Sequence, residues 1–279
     1  MKTNSFAFQG VNGAYSEQAG KNVFPDAKSL PCSTFEEMFA CVRDDEADIA
    51  LVPIENSQAG RVADTQRLIP DSDLNIIGEY FLEVRHNLLV VPGTNINDIK
   101  RVHSHEQGIA QCRNKIIKLN KQMVIAADTA GSAKKISELN NKEDAAIASS
   151  LAAEIYNLDV LEANFQDAEH NVTRFLIMSK DKSDIEPSES NIITTLVFVV
   201  RSIPASLYKC LGGFASNGVN ITKLESYIHP QGFDVAQFYI DFEGHPKNNS
   251  VKLALEEMKF FCKEIKILGV YKKSNFRKK

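Results

Sequence analysis

Two α/β lobes around a cleft, followed by a small α+β domain of ferredoxin-like type, are the architecture this sequence predicts. Three observations predict it. Up to residue 178, apolar runs of strand length alternate with helical patterns, and polar clusters sit at strand ends in both halves. Lys180 to Ser190 is polar, charged and carries Pro187, which makes it the clearest linker in the chain. Beyond it the order reads strand, helix, strand, strand, helix, strand, the βαββαβ of ferredoxin-like domains. The expected boundaries are a first domain at 1–180, a linker at 181–190 and a second domain at 191–279. Lobe one takes about 1–77 and about 171–180, and lobe two about 78–170. The strand at 174–178 follows a completed second lobe and is read as returning to the first.

Composition narrows the class of function. The chain has 279 residues, 43% hydrophobic and 24% charged, with a net charge of −4, the balance of an ordinary globular protein. No basic stripe points to nucleic acid, and the basic tail from Lys272 to Lys279 reads as a frayed, solubilising end. No apolar run approaches the roughly 20 residues that span a bilayer. Phe6-Ala7-Phe8 reads as a first strand rather than a signal peptide, so a cytoplasmic location is expected. The five cysteines are far apart in sequence, without a C-x-x-C pair, and read as reduced packing residues. His103 and His105 lack neighbours at metal-ligand spacing, so no metal is expected.

The elements follow in order. A strand over 5–10 runs into Gly10-Val11-Asn12-Gly13-Ala14-Tyr15-Ser16, a tight turn that either presents N–H groups to an anion or is a plain βα turn. It is not G-x-G-x-x-G, so a dinucleotide is unsupported. A helix runs from Tyr15 to about Val23, and a strand lies near Ala27–Leu30. Ser33 or Thr34 caps the next helix, with Glu36 or Glu37 completing a capping box over the apolar face Phe35, Met38, Phe39 and Val42. Ile49–Val52 is a short buried strand stopped by Pro53, which leaves Glu55, Asn56 and Ser57 at its carboxyl end, where open α/β sheets build ligand crevices. Gly60 and a helix from Val62 to Ile69 follow, and extended segments over Leu74–Val91 cross between the lobes.

Arg101–His105 is a strand, with Ser104 as an N-cap for the helix that carries Gln107, Gln111 and Cys112. Val124–Ala127 is a strand, and Asp128-Thr129 caps a helix from Ala130 to about Leu139. A strand at Ala145–Ala148 leads to a helix from Ser150 to Tyr156 and an acidic loop over Leu158–Phe165. Then comes His170-Asn171-Val172-Thr173-Arg174-Phe175, entering a buried strand. Thr173 and Arg174 point to opposite faces if both are extended, so that one faces a cleft and the other anchors behind it. In the last domain the strands are Ile192–Arg201, Ile221–Ile228, Val235–Phe242 and Ile265–Tyr271. Its helices run from Pro204 to about Ser216 and over about Ser250–Phe261, and Pro230-Gln231-Gly232 is a hairpin turn.

Several of these stretches together resemble the bacterial prephenate dehydratases that carry a C-terminal ACT domain. They are Gln9-Gly10-Val11-Asn12-Gly13-Ala14-Tyr15-Ser16, Val52-Pro53-Ile54-Glu55-Asn56-Ser57, Ser104-His105-Glu106-Gln107 with Gln111-Cys112, Asn171-Val172-Thr173-Arg174-Phe175 and, near the end, Gly218-Val219-Asn220-Ile221-Thr222-Lys223-Leu224-Glu225-Ser226. The resemblance implies a two-lobed catalytic domain like a type II periplasmic binding protein, an ACT regulatory domain over 191–279, and pairing of ACT domains into a homodimer or homotetramer. It implies Glu55, Asn56, Ser104, Gln111 and Thr173 as catalytic residues. Arg174, Ser57, Gly13, Ala14, Tyr15, Ser16, Asn171 and Phe175 would bind substrate. Ala205, Ser206, Leu207, Asn220, Leu224, Glu225 and Ser226 would bind a regulatory phenylalanine.

The implied reaction turns prephenate into phenylpyruvate in phenylalanine biosynthesis. Prephenate is a dianion, and losing carbon dioxide and the ring hydroxyl together makes the ring aromatic, so neither cofactor nor metal is required. Arg174 and the N–H groups near Gly10–Ser16 would hold carboxylates. Either Thr173 or Glu55 would assist the departing hydroxyl. The chain departs from the family pattern at Glu106, at Ala205-Ser206-Leu207 in place of Gly-Ala-Leu, and at Tyr227-Ile228 in place of Arg-Pro. Added bulk at Ala205 bears on phenylalanine affinity. Two rivals stand beside this reading: an arogenate dehydratase, with the same chemistry on the transaminated substrate, and a non-catalytic amino-acid sensor.

Overall fold

The computed structural model describes residues 3–229 and 232–278. The first half of the chain holds β1 (Ser5–Gln9), α1 (Tyr15–Val23), β2 (Lys28–Cys32), α2 (Phe35–Arg43), β3 (Ile49–Asn56), β4 (Gly60–Arg61), α3 (Ala63–Leu68), β5 (Asn75–Glu83) and β6 (Asn87–Val90). It continues through β7 (Arg101–His105), α4 (Glu106–Gln111), α5 (Arg113–Lys118), β8 (Gln122–Ala126), α6 (Thr129–Leu139), β9 (Asp144–Ala148), α7 (Ser150–Ile155), β10 (Asp159–Glu162) and β11 (Val172–Ser179). The last third holds β12 (Ile192–Val200), α8 (Ser206–Ser216), β13 (Ile221–His229), β14 (Gly232–Glu243), α9 (Asn249–Lys259) and β15 (Cys262–Lys272).

The chain forms two compact units. The first, residues 1–66 and 80–175, contains two lobes with a sheet each. In one lobe β11, β3, β1 and β2 lie side by side, with β1 parallel to both β2 and β3. The strand after the second lobe thus returns to the first. In the other lobe the order is β10-β6-β9-β7-β8, parallel where β7 meets β8 and β9 and antiparallel where β6 meets β9 and β10. Strands such as Ile49–Val52 and Ala145–Ala148 are fully buried, as helices on both sheet faces demand.

Two expectations are corrected here. Pro53 does not stop β3, which runs on to Asn56 and folds back on β4, pairing Glu55 with Arg61 and Asn56 with Gly60. The acidic stretch over Leu158–Phe165 is not all loop: β10 within it pairs with β6, and Leu158 and Phe165 are buried. At the α2 N-terminus, Thr34 Oγ1 accepts from the Glu37 N–H at 3.1 Å and the Glu37 carboxylate accepts from Ser33, the expected cap with its carboxylate one residue further back.

The second unit comprises residues 67–79 and 176–279. Its C-terminal part has the expected βαββαβ order, with strands arranged β13-β14-β12-β15 and β5 beyond β15. Residues 67–79 and 176–180, expected with the first domain, are grouped here because β5 meets β15 at Ile76 and Gly269. Gly269 is required there, since a Cβ on it would sit 2.1 Å from the Ile76 carbonyl oxygen. The hairpin turn expected at Pro230-Gln231-Gly232 lies, at Pro230 and Gln231, outside the described residues.

The basic tail is not frayed. Asn275–Lys278 is a turn of 3-10 helix, and Arg277 reaches Glu79 at 2.8 Å and Asp241 at 3.2 Å, both carboxylates being fully buried. The five cysteines are free and buried, but not isolated: Cys32 and Cys41 stand 3.7 Å apart, and Cys210 and Cys262 3.5 Å. Burial pushes the Cys32 thiol up to about 12, which suits a packing residue.

Candidate active site

A cleft in the first unit is lined from both lobes. β1 and the start of α1 bring Gln9, Gly10, Ala14, Tyr15 and Ser16; the β3–β4 hairpin brings Asn56 and Arg61; β11 brings Thr173 and Phe175. The other lobe brings Gln111 from α4, with His86 on the crossing segment between β5 and β6. The turn before α1 crosses between the lobes: Ser149 Oγ donates to the Gly13 carbonyl at 2.6 Å and Tyr156 OH to the Asn12 carbonyl at 2.7 Å. Gly13 has φ +88°, and a Cβ there would lie 2.8 Å from the Ala152 Cα, so only glycine permits this approach.

Asn56 sets the direction of every hydrogen bond around it. Its Oδ1 accepts from the backbone N–H groups of Gln58 (2.9 Å) and Ala59 (2.8 Å), so Nδ2 must donate. It donates to Asn171 Oδ1 at 2.7 Å and to Thr173 Oγ1 at 2.9 Å. Asn171 Nδ2 then donates to Gln111 Oε1 at 2.8 Å. Thr173 accepts a hydrogen bond within the protein and keeps its own proton to give. Gln111 lines the cleft with its Oε1 occupied.

Other expected residues stand elsewhere. Arg174 is on the opposite face of β11, 2% exposed, donating to Glu55 Oε1 at 3.1 Å with its guanidinium near the Phe81 ring. It is the anchor behind the cleft, and neither it nor Glu55 is among the lining residues. Ser104 is fully buried and donates to the Ile147 carbonyl at 2.8 Å. The cap of α4 is His105, which accepts from the Gln107 N–H, and not Ser104. Ser57 joins β3 to β11 by accepting from the Val172 N–H at 2.9 Å. In the turn, the Gly13 N–H goes to the buried Glu17 carboxylate at 2.6 Å and those of Gly10 and Ala14 to backbone carbonyls. The first turn of α1, at Tyr15 and Ser16, is what remains to meet an anion; Ala14 provides no side-chain cap.

Arg61 and His86 are among the lining residues that sequence reading missed. Arg61 is exposed and is the one arginine or lysine among the described lining residues. His86, 2% exposed, carries no motif and leaves no signal in sequence. His103 lies beside Asp144, which accepts from Arg101 at 2.6 Å and is 2.8 Å from His103 Nε2.

In the second unit a separate groove is lined by residues 200–208 with Ala236 and Phe238, which takes in Ala205, Ser206 and Leu207. Asn220, Leu224, Glu225 and Ser226 are not among its lining residues. Asn220 and Glu225 are engaged instead with Glu243 and Lys223.

A family model for prephenate dehydratase matches residues 6–183, which contain the whole cleft. The chain belongs to the prephenate dehydratase family. Members of this family are carbon–oxygen lyases. A bifunctional N-acyl-homoserine lactone acylase/prephenate dehydratase of Komagataeibacter europaeus is 45% identical over 273 residues, covering 98% of this chain and 97% of that protein. Arogenate dehydratase/prephenate dehydratase 2 of Arabidopsis thaliana is 38% identical over 276 residues, 95% of this chain and 72% of that one. The crystal structure of the prephenate dehydratase of Arthrobacter aurescens in complex with L-Phe superposes with a TM-score of 0.87 at 32% identity, covering 96% of this chain and 90% of that one.

Proposed function

We propose that the cleft converts prephenate to phenylpyruvate, carbon dioxide and water, with Thr173 as the group that hydrogen-bonds the departing hydroxyl. The observation that carries this is the direction of hydrogen bonding at Asn56, which makes Thr173 Oγ1 an acceptor within the protein and leaves its O–H to donate. As the ring carboxylate leaves as carbon dioxide, its electron pair passes through the ring and expels the hydroxyl. That oxygen gains negative charge as it leaves, which is when a fixed donor helps most. A proton supplied at this oxygen completes the water, and solvent in the cleft restores the threonine hydroxyl. Of the two candidates for this role, Glu55 is the weaker, being outside the cleft and bound to Arg174.

The substrate carboxylates need partners, and Arg174, buried in its pair, is poorly placed to provide one. Arg61 and the N–H groups opening α1 at Tyr15 and Ser16 suit this work better. Asp64 also lines the cleft, and its carboxylate would meet the ammonium of arogenate, so that substrate is a second reading. The acylase activity of the Komagataeibacter protein would need a base free to activate a nucleophile. His86 has both ring nitrogens occupied, by Tyr15 and Gln111, which favours the lyase reading.

The second unit is proposed as an ACT regulatory domain that binds L-phenylalanine. Among the described residues, the groove that takes in 205–207 does not gather in Asn220, Leu224, Glu225 or Ser226. A homodimer or homotetramer that brings the second stretch from a neighbouring copy would do so. Five buried free cysteines suit a reducing, cytoplasmic setting. The test is turnover by the purified protein on prephenate and arogenate side by side, with and without phenylalanine. Phenylpyruvate formation from prephenate, faster than phenylalanine formation from arogenate, is the expected result. Ligand binding without turnover on either would favour the sensor.

A further inference from the structure

His86 sits where the chain passes between the lobes, and its surroundings hold it on every side. Its backbone N–H donates to Gln166 Oε1 at 2.9 Å and its carbonyl accepts from the Phe165 N–H at 2.6 Å. Next to it, the Val84 N–H donates to the Asn171 carbonyl at 2.7 Å. The imidazole lies between two cleft residues, with Nε2 2.7 Å from Gln111 Oε1 and Nδ1 2.7 Å from Tyr15 OH. Gln111 Oε1 can only accept, so Nε2 carries the proton and Nδ1 accepts at 2.7 Å from the Tyr15 hydroxyl, whose contact to the Arg85 carbonyl is longer at 3.2 Å. Burial pushes the His86 pKa down, only partly opposed by the bond to Gln111, which keeps this neutral form in place.

The same chain of bonds then runs on without a break. Gln111 Oε1, loaded by His86, also accepts from Asn171, and Asn171 Oδ1 accepts from the Asn56 amide that donates to Thr173. Every donor and acceptor along it is determined, from the backbone N–H groups at Gln58 and Ala59 at one end to His86 Nε2 at the other. His86 is a buried histidine whose ring is held by two side chains. It bridges a side chain at the α1 opening to one on α4, which come from different lobes.

We infer that His86 is a positioning residue for the lyase reaction, locking the Gln111 amide so that the Gln111–Asn171–Asn56 chain presents the Thr173 hydroxyl, proton outward, to the leaving oxygen. The inference rests on the proposed dehydratase reading. It assigns His86 no contact with substrate, so it predicts a loss in kcat with little change in KM. Without the imidazole, Gln111 Oε1 loses one of its two donors and the amide is free to turn over. Turned over, it offers NH₂ to the Asn171 NH₂ and breaks the chain.

The experiment is steady-state turnover on prephenate for the wild type, His86→Leu, Thr173→Ala and the double variant, with folding checked by thermal melting. His86→Leu is expected to lower kcat about 10- to 100-fold, the cost of a misplaced reacting group, with KM within about threefold. In the Thr173→Ala background the same substitution is expected to cost less than about threefold, since the hydroxyl that it serves is gone. An equal loss in both backgrounds, or a raised KM with kcat intact, would overturn the inference. If His86→Leu fails to fold, Tyr15→Phe takes its place: removing only the hydroxyl that fixes Nδ1 is expected to lower kcat and spare KM, and an unchanged kcat overturns the inference. Absence of wild-type turnover on both prephenate and arogenate overturns the dehydratase reading and this inference with it, whereas normal wild-type turnover with unaffected variants overturns this inference alone.

Discussion

Thr173 and Arg174 are neighbours in sequence with opposite tasks, and substitution separates them. Thr173→Ala is expected to keep its melting temperature and lose about 100-fold or more in kcat, the usual worth of proton assistance at a reacting group. Arg174→Met is expected to lose stability instead, about 2–4 kcal/mol by chemical denaturation, because Glu55 is left without the guanidinium that pairs it. Arg61→Gln should raise KM for prephenate about tenfold or more while sparing kcat, as removal of a charged hydrogen bond to a carboxylate costs about 1.5–3 kcal/mol. The period of two along a strand made the opposite facing of Thr173 and Arg174 legible in sequence, but not which of the two met the cleft. Burial decided that. His86 was illegible because its role depends on partners 71 and 25 residues away, Tyr15 and Gln111.

At the scale of elements, β7 and β9 are tied at one end by Asp144, which accepts from Arg101 and lies beside His103. The Arg101 guanidinium, opposed by burial and helped by His103, lowers the Asp144 pKa from 3.8 to about 2. A carboxylate depressed in the folded state stabilises it fully above its unfolded pKa and loses that contribution as pH falls through the folded one. The wild type should therefore lose stability between about pH 4 and pH 2 from this group, and Asp144→Asn should flatten that limb in urea melts taken across the range. Helix α8 opens on Ala205 at φ +66°, a left-handed position where a side chain costs about 1–2 kcal/mol. Ala205→Gly should raise stability by about 0.5–1 kcal/mol once the flexibility of glycine in the unfolded chain is counted, read as an increase in urea midpoint.

Local pattern told most of this at the sequence level. The caps at Thr34 and Asp128, the helix at Tyr15–Val23 and the βαββαβ order all follow from residues near one another in the chain. Pro53 misled because its missing N–H is tolerated where β3 turns into its hairpin with β4. β10 was hidden since Asp159 and Glu162 are exposed and only its pairing with β6 makes it a strand.

For the molecule as a whole, phenylalanine at millimolar concentration is expected to suppress prephenate turnover and to raise the thermal midpoint, as any ligand of the folded state does. An unchanged rate together with an unchanged midpoint would remove the regulatory reading. The other property of this scale lies in the order of synthesis. Glu79 bonds to Arg277, 198 residues further along, and Ile76 pairs with Gly269. A ribosome working at about 5–20 residues per second needs roughly 10–40 s to travel that distance. Through that interval the early half of β5 waits without its β15 partner, and Glu79 without the arginine that meets it. β15 and Arg277 thus supply the closing step of a fold begun before residue 80. Deleting β15 would leave that early strand edge open to other chains.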